Sequence, residues 1–227
     1  IKKLFEGHLE ISPEEFSEML EKNYAGYEKT LAEIRQLDKF GNNRKEVDEI
    51  ASETISSTFD EISRYRCRRA DGFFIPSIIM FITYVSEGMK IGATPDGRPA
   101  FSPVADSAGP MQGTDSEGPT SMLRSVSSLP QHKGLGTMVL NMKLEKKLFH
   151  DKVSREKLKK LIRTYFDMSG MQVQISVIDS ATLEEAVRNP EKHENLVVRI
   201  GGYSEYFNRL SPALKQEVIK RTSYNIN

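Results

Sequence analysis

Apolar residues recur along this chain at two spacings, and the switch between them lays out most of its elements. Ser12-Pro13-Glu14-Glu15 has the form of a capping box with proline at the first helical position. It predicts a helix with Phe16, Met19, Leu20 and Tyr24 on one face. Gly26 interrupts that pattern, and a second helix is expected from Tyr27 to Leu37. Lys39-Phe40-Gly41-Asn42-Asn43 reads as a turn. Helix then resumes near Arg44 and runs towards Arg64, with Val47, Ile50, Ala51, Ile55 and Phe59 in contact spacing. The longest apolar stretch, Phe73 to Val85, predicts extended segments around Pro76, buried on both faces. Periodicity leaves a helix open for its second part. Val139 to Leu144 is strand-like. Lys152 to Met168 is an amphipathic helix, with Leu158, Leu161, Ile162, Tyr165 and Phe166 on the inward stripe and Gly170 as its stop. Met171 to Ile178 alternates, sending Gln172, Gln174 and Ser176 one way and Val173, Ile175 and Val177 the other. A helix from Ala181 to Arg188 stops at Asn189-Pro190. Leu196 to Ile200 is extended, and Ser211-Pro212 opens a last helix with Leu214, Val218 and Ile219 inward.

Helices alternating with strand-like runs, with no internal repeat, argue for an α/β fold. From Ile91 to Thr137 the composition turns to Gly, Pro, Ser, Thr and Asp, which predicts a long loop-rich segment. Three parts follow: a helical segment leading into a buried strand region (1–90), an ordered loop-rich segment with a strand (91–145), and a final α/β part (146–227). Ala93-Thr94-Pro95-Asp96-Gly97-Arg98 is a dense turn. It is not a phosphate loop, since no Gly-Lys-Ser/Thr follows; a solvent-exposed linker is the other reading.

Lys plus Arg equals Asp plus Glu at 32 each, so net charge points to neither nucleic acid nor an anionic membrane. No apolar run is long enough to span a bilayer, and no signal-peptide pattern is present. The single cysteine, Cys67, excludes an intrachain disulfide and fits a reducing, cytoplasmic setting. The four histidines, His8, His132, His150 and His193, show no metal-ligand spacing, so no metal site is expected. No Gly-x-Ser-x-Gly elbow occurs. The chain starts at Ile1 without methionine, as a piece of a longer polypeptide or a processed chain would.

One stretch organises the rest: Arg199-Ile200-Gly201-Gly202-Tyr203-Ser204-Glu205-Tyr206-Phe207. By itself it reads as a glycine turn between two strands. Together with Gly170-Met171-Gln172-Val173-Gln174 upstream and Lys220-Arg221-Thr222 downstream, it resembles the C-terminal end of a glycyl radical enzyme. The resemblance extends over nearly the whole chain. Lys39-Phe40-Gly41-Asn42, Ala93 to Arg98, Ala105-Asp106, Gln112-Gly113, Asp115, Gly118-Pro119-Thr120 and Ser125-Val126-Ser127 follow the family pattern in order and spacing, with Asn43 and Arg44 where acidic residues are usual.

The resemblance implies the following. The fold is the C-terminal part of a ten-stranded barrel wrapped by helices, in which the segments around Ala93 to Ser127 are irregular but ordered. Gly202 carries a stable backbone radical, with Arg199, Gly201 and Tyr203 shaping its loop. Gln172, Gln174 and Ser176 are candidate pocket-side residues, or else an ordinary polar strand face. The radical is installed by a radical S-adenosylmethionine activating enzyme with an iron–sulfur cluster, and no dissociable cofactor serves turnover. The thiyl-bearing cysteine belongs to a missing N-terminal part or a second chain, because Cys67 is followed by Arg68 and Arg69 rather than by the family's Val-Glu. A homo-oligomeric, oxygen-sensitive lyase or dehydratase of anaerobic metabolism is implied. The alternatives are a non-catalytic module that restores a damaged partner enzyme, and an inactive scaffold with a relic loop. A chain cut from a barrel is further expected to leave open strand edges at residues 73–85 and 139–144.

Overall fold

The computed structural model describes residues 6–7, 9–69, 71–81, 83–144, 146–149, 151–177, 179–200, 203–220 and 223–224. In chain order its elements are α1 (Pro13–Glu21), α2 (Glu28–Gln36), α3 (Lys45–Arg64), β1 (Ser77–Ile78), α4 (Thr83–Gly88), α5 (Gly118–Ser127), β2 (Thr137–Met138), β3 (Asn141–Leu144), α6 (Lys152–Asp167), β4 (Gln174–Val177), α7 (Ser180–Arg188), β5 (Val197–Ile200), β6 (Tyr203–Tyr206), α8 (Pro212–Lys220) and β7 (Ser223–Tyr224). They form an α/β arrangement of two compact units. One comprises residues 1–38 and 83–104, the other residues 39–82 and 105–227.

In the first unit the capping box closes at both ends. The Glu15 amide donates to Ser12 Oγ at 3.1 Å, and the Ser12 amide to Glu15 Oε2 at 2.9 Å. These bonds satisfy two of the orphan donors that every helix start leaves. Phe16 and Met19 of α1 then bury against Leu9, Tyr24 and Ile34. The Ala93–Arg98 turn belongs to this core and is not a linker. Gly97 sits at φ +96°, and the Tyr24 hydroxyl donates to the Thr94 carbonyl. Arg98 is buried. Its guanidinium donates to the carbonyls of Gly92, Pro99 and Ser102, and to Thr94 Oγ1 at 3.1 Å. A buried cation ringed by carbonyls satisfies backbone acceptors that no secondary structure reaches.

The second unit is built on a three-stranded parallel sheet in the order β4-β3-β7, with two smaller pairs, β1-β2 parallel and β5-β6 antiparallel. No closed sheet is present among the described residues. Met142 and Leu144 of β3 turn into the core with Met122, Leu123 and Val126 of α5, Leu158 and Tyr165 of α6, and Phe59 of α3.

Four expectations are corrected here. Residues 73–85 are not a doubly buried strand. Among the described residues Ser77 and Ile78 form a two-residue strand, Phe73 makes a single bridge to Arg66, Thr83 to Gly88 is helical, and Phe73, Phe74 and Ile75 are each more than half exposed. Residues 139–144 are not an open edge, because β3 is central in its sheet and Leu140 and Leu144 are fully buried. Helix α5 interrupts the segment expected to be loop. Its Gly, Pro, Thr and Ser residues hide a short stripe of Met122, Leu123 and Val126, and burial of that stripe outweighs weak propensity. Finally, Ser169 rather than Gly170 takes the left-handed position after α6, at φ +70°. The Gly170 amide bonds the Tyr165 carbonyl and the Ser169 amide that of Phe166, which together make a Schellman motif.

The Lys39–Asn43 turn earns its place through Asn42, which is buried. Its amide donates to the carbonyls of Lys39 and Thr114, and its oxygen accepts from the Glu117 amide at 3.0 Å. Next to it the Asn43 amide donates to Ser125 Oγ, whose hydroxyl donates to Asp48 Oδ2 at 3.0 Å. Burial pushes the Asp48 carboxyl up, and the Ser125 hydrogen bond only partly offsets it. The folded state therefore holds the Asp48 proton more tightly than the unfolded chain does. Stability falls as pH rises from the ordinary carboxylate value through the raised one. Asp48→Asn is expected to flatten that fall, read as the urea midpoint between pH 4 and 7; an unchanged slope would count against it.

Candidate functional site

Strands β5 and β6 form a hairpin whose last pair is Ile200 with Tyr203, preceded by Arg199 with Ser204. Its two connecting residues, Gly201 and Gly202, lie outside the described residues, as does the Tyr203 side chain. What holds the hairpin is clear on either side. Val198 and Ile200 alternate inward and are buried, while Val197 and Arg199 face out. The Phe207 amide closes the base on the Leu196 carbonyl at 2.8 Å, with the Phe207 ring fully buried. Asn208 Nδ2 donates to the carbonyls of Pro190 (2.7 Å) and His193. Helix α7 is capped by Asp179, whose carboxylate accepts from the Ala181 amide, and it packs on α8.

Strand β4 carries two of the three polar residues of the alternating segment. In β4, Gln174 and Ser176 share a face and are half-buried. Their register partners in β3 are Asn141 and Lys143, so the face is built by two strands. Gln172 lies before β4, and its Oε1 accepts from the Leu140 amide at 3.0 Å. Its carbonyl accepts from the Tyr165 hydroxyl at 3.2 Å. Burial pushes that phenol up to about 12, so it stays a donor throughout the physiological range. Gln172 thus supports the start of the sheet.

The sequence pattern marks Asp106 without giving it a role, and leaves Asn141 and Lys143 unmarked as site residues. Asn141 Nδ2 donates to both carboxylate oxygens of the buried Asp106, at 3.1 and 3.0 Å. Lys143 is buried, and its ammonium donates to Ser180 Oγ at 2.8 Å and to the Ile219 carbonyl. The available signal was alternation: Asn141 and Lys143 are the two polar positions of an otherwise apolar strand. Arg199 connects the two structures. Its Nη1 donates across the hairpin to Ser204 Oγ at 3.2 Å, and its Nε to Gln174 Oε1 at 3.3 Å. Cys67 is exposed, in a turn where its amide donates to the Gly72 carbonyl. Among the described residues no group of three or more His, Cys, Asp or Glu is placed to hold a metal ion, and no helix is long and apolar enough to cross a membrane.

Known proteins resemble this chain over most of its length. The family model described as Glycine radical matches residues 104–208, and the one described as Pyruvate formate lyase-like matches residues 1–88. An isethionate sulfite-lyase of Bilophila wadsworthia is 32% identical over 99% of this chain and 27% of its own length. A trans-4-hydroxy-L-proline dehydratase of Clostridioides difficile is 32% identical over 89% of this chain and 26% of its own. The solved B12-independent glycerol dehydratase of Clostridium butyricum superposes with a TM-score of 0.92 at 35% identity, covering 95% of this chain and 27% of that one. The chain therefore spans about a quarter of the length of the relatives it matches. Family-model matches over residues 1–88 and 104–208, together with these relatives, make this chain a member of the glycyl radical enzyme family.

Proposed function

We propose that this chain is the radical-bearing C-terminal part of a glycyl radical lyase or dehydratase, folded as part of a ten-stranded barrel, with residues 146–227 as the radical domain. The observation that carries the reading is the Ile200–Tyr203 pair, which leaves Gly201 and Gly202 as the connection of a hairpin in the segment matched as Glycine radical. In this reading Gly202 stores the radical. Loss of one Cα hydrogen atom leaves an electron that the flanking amide nitrogen and carbonyl delocalise, which requires a planar Cα free of a side chain. The Gly202 radical takes a hydrogen atom from a cysteine thiol outside this chain, and the resulting thiyl takes one from a small organic substrate. Breaking of a C–O, C–N or C–S bond follows.

Arg199, Gly201 and Tyr203 shape the loop, while Gln174, Ser176, Asn141 and Lys143 form a polar sheet face that Arg199 reaches through Gln174. Gln172 serves at its edge. A radical S-adenosylmethionine activating enzyme supplies the oxidising radical once, so turnover needs no dissociable cofactor. The setting is a cytoplasmic homo-oligomer containing the preceding part of the chain. The test is anaerobic activation of the full-length protein. An electron paramagnetic resonance doublet from one α-hydrogen is expected, and oxygen should then cut the chain at residue 202 and release a C-terminal peptide that carries the oxidised remnant of Gly202 on the Tyr203 nitrogen. Absence of any organic radical with a competent activator would refute the reading.

A further inference from the structure

We infer that Gln174 is a positioning residue that acts through Arg199 to hold the glycine hairpin at a set place on the parallel sheet; the inference rests on the radical reading above only for its catalytic consequence. Arg199 lies two residues before Gly201, and Ser204 two residues after Gly202, paired across the hairpin. The Nη1 bond to Ser204 Oγ ties the two strands just below their connection. The Nε bond to Gln174 Oε1 ties that same guanidinium to the first residue of β4. A planar fork with five fixed donors can make both bonds at once, which an ammonium on a flexible stem does not reproduce.

Gln174 is itself well anchored. Its amide donates to the Leu140 carbonyl at 2.7 Å, it pairs in register with Asn141, and Asn141 is held by the buried Asp106. The chain of contacts therefore runs from a buried carboxylate through two paired strand residues to the base of the glycine connection. Hydrogen-atom transfer depends steeply on the distance between donor and acceptor, so a hairpin displaced by an ångström loses rate rather than substrate affinity.

The experiment compares Gln174→Met, which keeps length but loses the acceptor, with Gln174→Glu, which keeps an acceptor and adds charge. In the full-length protein, hydrogen exchange at the 197–206 amides is expected to rise about tenfold in Gln174→Met and to return to the parent rate in Gln174→Glu. Amides of α5 should be unaffected in both. In the activated enzyme, Gln174→Met should lower kcat about tenfold with KM little changed and the doublet's splitting intact. Arg199→Met should do the same, and the double variant should be no worse than either single one. Unchanged exchange in Gln174→Met, a change in KM alone, or additive losses in the double variant would each overturn the inference. If no radical forms in the parent protein but exchange responds as stated, the radical reading fails while the hairpin anchor stands.

Discussion

Replacing Gly202 with alanine in the full-length protein is expected to remove the radical doublet, oxygen-dependent cleavage and turnover together, with activity falling to background. The reason is local. A methyl group at Cα crowds the planar radical against its neighbouring peptide groups, and it obstructs the close approach that hydrogen-atom transfer needs. Gly201→Ala is the informative companion. It should lower the radical yield through the loop's shape yet leave both the doublet and the cleavage at residue 202, because the family pattern sets the radical on the glycine before the aromatic. Spectra of the two variants, activated in parallel and quantified per protomer, make the measurement. A doublet surviving in Gly202→Ala, or one lost only in Gly201→Ala, would move or abolish the assignment.

Gly170→Ala is expected to give the largest loss of stability among single-methyl changes near the site. A Cβ built on Gly170 would lie 2.3 to 2.6 Å from three ring carbons of Tyr165. That ring cannot step aside cheaply. It is fully buried in the main core, and its hydroxyl is bonded to the Gln172 carbonyl. Overpacking of this kind costs about 1–3 kcal/mol, enough to lower the thermal midpoint by several degrees. The strain is applied four residues before Gln174, so hairpin exchange should rise as well. The double variant Gly170→Ala/Tyr165→Leu should recover part of the loss, since the smaller side chain makes room. A Gly170→Ala protein as stable as its parent would show that the ring can move, and that Gly170 serves only the chain's turn.

These two glycines show how differently the sequence speaks. Gly202 is proposed from its neighbours, Arg199-Ile200 before and Tyr203-Ser204 after, which form a motif that resembles the family's radical loop. Gly170 was read as a helix stop, a sound rule applied one residue late. The left-handed position falls on Ser169, and glycine is required at residue 170 by a side chain five residues upstream. Periodicity cannot see such a requirement.

The sequence by itself determined the local elements whose signals lie within a few residues. These include the Ser12–Glu15 capping box, the α6 stripe, the alternation that became β4, and the strand leading to the glycines. Such signals are local because caps and amphipathic faces are set by neighbours three or four residues away. Only the tertiary structure decided the fate of residues 73–85, whose apolar character matched a buried strand while Phe73, Phe74 and Ile75 stand exposed in the described chain. It alone made α5 a helix, by burying Met122 and Val126 against β3. It also brought Asn141, Lys143 and Asp106 to the face that Gln174 and Ser176 share, and Arg199 onto Gln174 across 25 residues of chain. Pairing register and long-range hydrogen bonds arise from the whole fold's packing, which no window of neighbouring residues contains.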